Sequence, residues 1–280
     1  MSLPFLGFAL LALGLMGLLA FLLLAPLGRP LDRDRVSRFA ERHALPITPG
    51  NGPLVVRALG TTHRWRRFGL VAGLILALLW AVRDGRLSVD FVAMFLGWFA
   101  GAVVAEWRIS TPVASGTRRQ ADLRARSVAS YLTAPNRVTL AVVLALLAAT
   151  GAVAGAFDLP DPGRRTAWLA SAAGCLLGAG VLVAVTRRIV DRPRPAGPSD
   201  VRDADDALRA HSLTVIAGSA VALASLPLAD FCTTIAGRLI GPEEGAVTGF
   251  LVLVAGLVAG WFVAARSASV RRTAPVAAGS

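Results

Sequence analysis

The sequence predicts an all-α polytopic membrane protein of about seven transmembrane helices. Three observations carry that prediction. Seven long apolar runs divide the chain, and hydrophobic residues make up 55% of it at a mean hydropathy of +0.63, far from the balance of a water-soluble domain. All 29 basic residues are Arg, and none lies inside an apolar run. Those Arg crowd into alternate gaps between the runs, as the positive-inside bias of membrane proteins requires.

The runs cover about 3–27, 68–82, 89–105, 138–157, 166–185, 212–229 and 246–265. A helix needs about 20 apolar residues to cross the hydrocarbon core. The second run is short, but Arg64, Arg66, Arg67 and Arg83 flank it and can snorkel to lengthen it. Gap 28–67 holds nine Arg, 106–137 six, 187–211 six, and the residues after 265 three; the other three gaps hold two, two and one. The crowded gaps are therefore expected on the cytoplasmic side, with the N-terminus outside and the C-terminus inside. No positive charge precedes the first run, so a first transmembrane helix at 1–27 is expected rather than a cleaved signal peptide.

Residues 28–67 form the next unit, an expected cytoplasmic Arg-rich helical hairpin. Its first helix covers about Asp32–His43. Its second starts after Asn51, a good cap, with Pro53 in the first turn and Leu54, Val55, Ala58 and Leu59 as an apolar stripe. That helix can run on into the second span, and the hairpin is expected along the inner membrane surface, with a docking site as the other reading. A six-helix membrane bundle follows over 68–265. A disordered cytoplasmic tail is expected over 266–280.

Tryptophans support the orientation. Trp65, Trp107 and Trp261 fall at expected inner ends, and Trp80 and Trp168 near outer ends, as an aromatic belt requires. Trp98 falls mid-span and reads as a packed aromatic. The centres of the runs hold no Asp, Glu, Arg or His, which argues against a proton-coupled carrier or an ion channel. They hold instead the small-xxx-small pairs Gly97/Gly101, Gly151/Gly155, Gly174/Gly178 and Gly256/Gly260, read as close intramolecular packing or as a homodimer seam.

A weak repeat appears 85 residues apart. Leu123-Arg124-Ala125-Arg126-Ser127-Val128 matches Leu208-Arg209-Ala210-His211-Ser212-Leu213, each copy after a helix pair and a Pro-containing basic loop. The implied units are 68–132 and 138–217, running in parallel. If the units are duplicates, Glu106 and Asp205 are the expected partners of Arg124 and Arg209.

Chemistry-bearing motifs are sparse. Asp200, Asp203, Asp205 and Asp206 read as a helix start, with Ser199 or Asp200 as cap and Asp205 paired to Arg209 at i,i+4; a Mg²⁺ site is the other reading. Cys175 and Cys232 fall at different membrane depths and are not expected to pair. There is no CxxC, HExxH or phosphate-binding glycine loop, so no catalytic residue, metal or cofactor is assigned. The net charge of +12 reads as an orientation signal that also favours anionic lipid headgroups, not as a nucleic-acid surface. Candidate contacts for lipid or a membrane partner are Arg64, Arg66, Arg67, Arg124, Arg126, Arg187, Arg188, Arg192 and Arg194.

Two resemblances follow. Arg187-Arg188-Ile189-Val190-Asp191-Arg192-Pro193-Arg194-Pro195 followed by His211-Ser212 resembles the layout of membrane-bound phosphatidic-acid-type phosphatases, in which basic residues hold phosphate ahead of a Ser-Gly-His loop. The chain lacks the Pro-Ser-Gly-His segment and the later His nucleophile of that family, since its three His are His43, His63 and His211. Second, the Arg-only basicity, the Ala/Leu/Val/Gly-rich spans, Arg-Pro-Arg-Pro and Ala-Asp-Asp-Ala-Leu-Arg-Ala resemble uncharacterised multi-pass membrane proteins of high-GC Gram-positive bacteria. That implies a bacterial cytoplasmic membrane and no substrate. The expectation is a non-catalytic structural or regulatory component that binds lipid or a partner through its cytoplasmic Arg-rich face. A permease-like subunit is the alternative, and a membrane phosphatase the remote one.

Overall fold

The computed structural model of the chain describes residues 14, 17, 32–84, 91–110, 127–156, 162–193, 195 and 198–266. These fold into helices, with no strand among the described residues. They are α1 (Arg33–Arg42), α2 (Gly52–Asp84), α3 (Phe91–Ser110), α4 (Val128–Tyr131), α5 (Ala134–Ala156), α6 (Pro162–Asp191), α7 (Ser199–Leu239) and α8 (Pro242–Ala265). Six of the seven expected spans coincide with helices α2, α3 and α5–α8. The first span, apart from Gly14 and Gly17, and the 266–280 tail, apart from Arg266, lie outside the described residues. Among the described residues, Ala134–Val153, Ser199–Leu239 and Pro242–Ala265 are long and apolar enough to cross a membrane.

The hairpin expected over 28–67 takes shape as α1 and the start of α2. Asp32 caps α1, accepting from Asp34 N at 3.3 Å. α2 runs unbroken from Gly52 into the second span, so one rod of 33 residues joins the hairpin to the bundle. Asn51 precedes it, but its side chain does not cap the helix as expected. It turns back to fasten the loop: Asn51 Nδ2 donates to Pro46 O at 2.9 Å, and Oδ1 accepts from Thr48 N at 2.9 Å. α1 also has protein partners. Phe39 and Leu45 are buried against Val55 and Ala58 of α2 and Ala204, Ala207 and Leu208 of α7. An apolar stripe that finds protein partners has no need of lipid.

Helix α7 is the hub. It touches α2, α3, α4, α5, α6 and α8, and its apolar stretch is mostly buried while those of α5 and α8 are mostly exposed. At 1.5 Å per residue its 41 residues extend about 60 Å, twice a hydrocarbon core of about 30 Å. Its first residues, 199–211, form a polar base at the end where α1 docks.

Two helix pairs frame this hub, and glycine explains both. In α2/α3, a Cβ on Gly69, Gly73, Gly97 or Gly101 would overlap backbone of the facing helix. In α7/α8, Gly218 and Gly260 stand in the same relation, and Gly241 turns the chain at φ 136, a left-handed-side conformation glycine adopts without strain. The expected pairs Gly97/Gly101 and Gly256/Gly260 therefore serve intramolecular packing. Gly174 and Gly178 of α6 have no described atom within 4 Å of such a Cβ.

The two LRAxS copies stand in different local frames where both are described. Ser127 is the extended N-cap of the short α4, whereas Ser212 is buried in mid-helix in α7. Arg124 and Arg126 lie outside the described residues.

Candidate anion-binding site

At the base of α7, three elements enclose a cavity of about 340 Å³. α1 contributes Arg35, Arg38, Phe39 and Arg42, at spacings i, i+3, i+4 and i+7. α2 contributes Leu59, Thr62, His63 and Arg66, at the same spacings. Each set is one face of one helix. His211 of α7 completes the wall. Four guanidiniums thus line the space, those of α1 on exposed residues, and no carboxylate is among the described lining residues.

Arg66 is the inner member. It lies 5.3 Å from the centroid of Trp98, so the aromatic read as a packed core residue serves as a cation–π plate. Its Nε and Nη2 are buried and have no hydrogen-bond partner. Glu106 stands nearby in α3, but its Oε1 accepts from Ser212 Oγ at 2.5 Å and its Oε2 is also unpartnered.

All three histidines of the chain gather here. His43 and His211 pack edge to face at 5.9 Å between ring centroids, and Phe39 stands 4.6 Å from His43 and 5.5 Å from His211. Burial, with Arg42 adding to it, pushes the His43 pKa down to about 4. Burial first, then the charges of Arg35, Arg67 and Arg66, brings His63 down to about 4 as well. His63 is therefore neutral near neutral pH, and Arg35 Nη1 donates to its ring at 2.8 Å. A neutral imidazole adds hydrogen-bonding capacity to the cavity without adding charge.

The opposite flank of α7 carries a second Arg cluster of different character. Asp205 accepts from Arg192 Nη2 at 2.5 Å and from Arg209 Nε at 2.8 Å. The expected i,i+4 pair is thus present, with Arg192 added. Arg209 also donates from Nη1 to Ile189 O at 2.8 Å and Val190 O at 3.0 Å, and from Nη2 to Pro193 O at 3.3 Å. These satisfy last-turn carbonyls of α6 that its own helix cannot, with a cation at the negative end of the dipole. The neighbouring acids are engaged too: Tyr131 O–H donates to Asp206 Oδ1 at 3.1 Å, and Thr48 Oγ1 donates to Asp200 Oδ2 at 2.5 Å. Among the described residues no group of three His, Cys, Asp or Glu is placed to hold a metal ion.

The candidate contacts of the sequence divide accordingly. Arg66 lines the cavity. Arg192 turns inward onto Asp205. Arg188 stacks 3.9 Å from the Trp107 ring centroid. Arg64 and Arg187 are exposed, and Arg67 is half-buried. Arg124, Arg126 and Arg194 lie outside the described residues. Sequence reasoning missed Arg35, Arg38, Arg42, His43, His63 and His211 as a set. The i, i+3, i+4, i+7 spacing in both hairpin helices was the available signal.

No family model, curated protein or solved structure matches the chain.

Proposed function

We propose that the chain is a multi-pass protein of a bacterial cytoplasmic membrane that binds anionic lipid headgroups, or an acidic membrane partner, through its Arg-rich face. Its role in this reading is structural or regulatory, without chemistry of its own. The seven-span arrangement with the N-terminus outside belongs to the same reading. It places α1, the base of α7 and the cavity on the cytoplasmic side.

One observation carries the proposal: four guanidiniums share a cavity with no carboxylate among its described lining residues. Like charges at helical spacings repel, each pair by about 0.2–0.5 kcal/mol. An anion from outside the protein relieves that repulsion, and the anionic cytoplasmic leaflet offers about 1 kcal/mol per basic residue near its surface. The Arg–Trp stacks of Arg108 on Trp65 and Arg188 on Trp107 support placing this end at a membrane interface. The cavity stands at the base of α7 rather than at mid-span, which favours binding over a transport path.

The full chain in zwitterionic detergent should take up phosphatidylglycerol in preference to phosphatidylcholine, and less so as salt rises, because exposed charges are screened over about 8–10 Å. Equal uptake of the two lipids refutes the reading. Orientation is tested in a chain freed of Cys175 and Cys232. Single cysteines at the exposed positions Ser37 and Ser199 should resist an impermeant thiol reagent in intact cells, and one at Glu243 should label. The reverse pattern refutes the orientation.

A further inference from the structure

We propose that the cavity between α1, α2 and α7 is a stoichiometric site for one phosphate monoester, with Arg66 as its anchor. The inference rests on the reading of this end as anion-binding and adds the class of ligand.

Size comes first. About 340 Å³ is at the small end of ligand cavities, which run from about 300 to 1,000 Å³, and the space is partly open to solvent, so it suits one compact anionic group whose stem can leave through the mouth. Charge comes second. Arg35, Arg38, Arg42 and Arg66 share the cavity with no acid among its described lining residues and only Glu106 of α3 near Arg66, while His63 beside them is held neutral. A phosphodiester brings one negative charge and two free oxygens, flanked by an ester on each side. A monoester brings about −1.5 to −2 charge and three acceptor oxygens. Only the monoester lets several guanidinium forks bind at once, and forks suit phosphate geometry.

Arg66 is the third argument. It lines the cavity, yet Nε and Nη2 are buried with no partner. Leaving a buried donor unmade costs about 1–3 kcal/mol, and more for a charged group. Arg209, on the other side of α7, has its Nε, Nη1 and Nη2 all bonded. An external oxyanion is the simplest group to give Arg66 what Asp205 gives Arg209. Phe39 and Leu59 supply an apolar wall for the organic stem of the ester.

The same chemistry has two sources, a lipid with a terminal phosphate or a soluble phosphate. Titration calorimetry on the full detergent-solubilised chain separates them, with inorganic phosphate, glycerol 3-phosphate, dihexanoyl phosphatidic acid, dihexanoyl phosphatidylglycerol and dihexanoyl phosphatidylcholine as probes. The expected result is saturable binding of at least one monoester probe, about tenfold or more tighter than phosphatidylglycerol, or about 1.4 kcal/mol. Binding by phosphatidic acid alone assigns the lipid source; equal binding by glycerol 3-phosphate or inorganic phosphate assigns the soluble one. Arg66→Gln should abolish the preference, and Arg38→Gln, at an exposed position of α1 that folding does not depend on, should reduce it. If monoester and diester bind alike, or if neither variant changes the preference, the inference is overturned while the anionic-face reading stands. If no anionic probe is distinguished from phosphatidylcholine, that reading falls as well.

Discussion

Arg209, a buried arginine, and Arg66, a half-buried one with buried nitrogens, both stand at the base of the bundle and are treated in opposite ways. Arg209 has a carboxylate and three backbone carbonyls as partners. Arg66 has an aromatic plate and two buried nitrogens with no partner. The first cluster closes on itself: Arg192, Asp205 and Arg209 join the start of α7 to the end of α6. The second is open, with three more arginines around a cavity. Compensation inside the protein marks an arginine that holds the fold. Its lack marks an arginine available to something else.

The sharpest way to break that contrast is Asp205→Asn. It leaves Arg209, whose side chain is wholly buried, without its carboxylate partner. Removing one partner of a buried pair costs about 3–5 kcal/mol. Thermal unfolding of the solubilised chain should show a loss of that order. A variant as stable as the parent would mean that the cluster is incidental to the fold.

The next largest effect comes from geometry rather than charge. Gly97→Leu forces a side chain into the backbone of α2 at the Gly69–Gly73 crossing. Overpacking of this kind costs about 1–3 kcal/mol. Because α2 also carries His63 and Arg66, the displaced helix should weaken anion uptake although no charge has been altered. Unchanged uptake at lowered stability would uncouple the crossing from the cavity.

Arg66→Met should then behave opposite to Asp205→Asn. It removes a buried charge with unsatisfied donors and loses the contact to Trp98, effects of about 1 kcal/mol each and of opposite sign. Stability should stay within about 1 kcal/mol of the parent while anion uptake drops. A loss as large as that of Asp205→Asn would show that Arg66 is structural after all.

Much of the scaffold was legible in the sequence, and the reasons are physical. Apolar runs of 15 to 25 residues with no charge at their centres leave the chain little choice but helix, and six of the seven coincide with helices α2, α3 and α5–α8. The Asp205–Arg209 pair was legible because it is local, four residues apart on one helix. The Asp32 start of α1 was legible for the same reason. The site was not, because it is assembled from segments 35–66 and 211, whose meeting depends on how α1 docks. A count of Arg by loop treats Arg192 and Arg66 alike, and nothing in their neighbours along the chain reveals that one bonds Asp205 while the other keeps two unbonded nitrogens near Glu106. The hairpin was expected on the membrane because its stripe is apolar. The stripe's true counterpart, Ala204, Ala207 and Leu208, sits some 150 residues further on in a segment that reads as charged.

The smallest expected effect uses pH to separate the two clusters. His43 and His63 are both brought down to about 4, against an ordinary value of 6.5. Between those values the unfolded chain binds protons that the folded chain refuses. The stability tied to neutral imidazole is therefore complete above about pH 6.5 and is lost as pH falls toward about 4. His43 is the better probe, because both its ring nitrogens are buried without partners between Phe39 and His211, whereas His63 is partly open to solvent and its share is damped by water. His43→Phe keeps the ring packing and removes the titration. The parent's thermal midpoint should decline from about pH 6.5 to about pH 4.5, and the variant's should decline less. Equal declines would mean that protonation of His43 opens nothing.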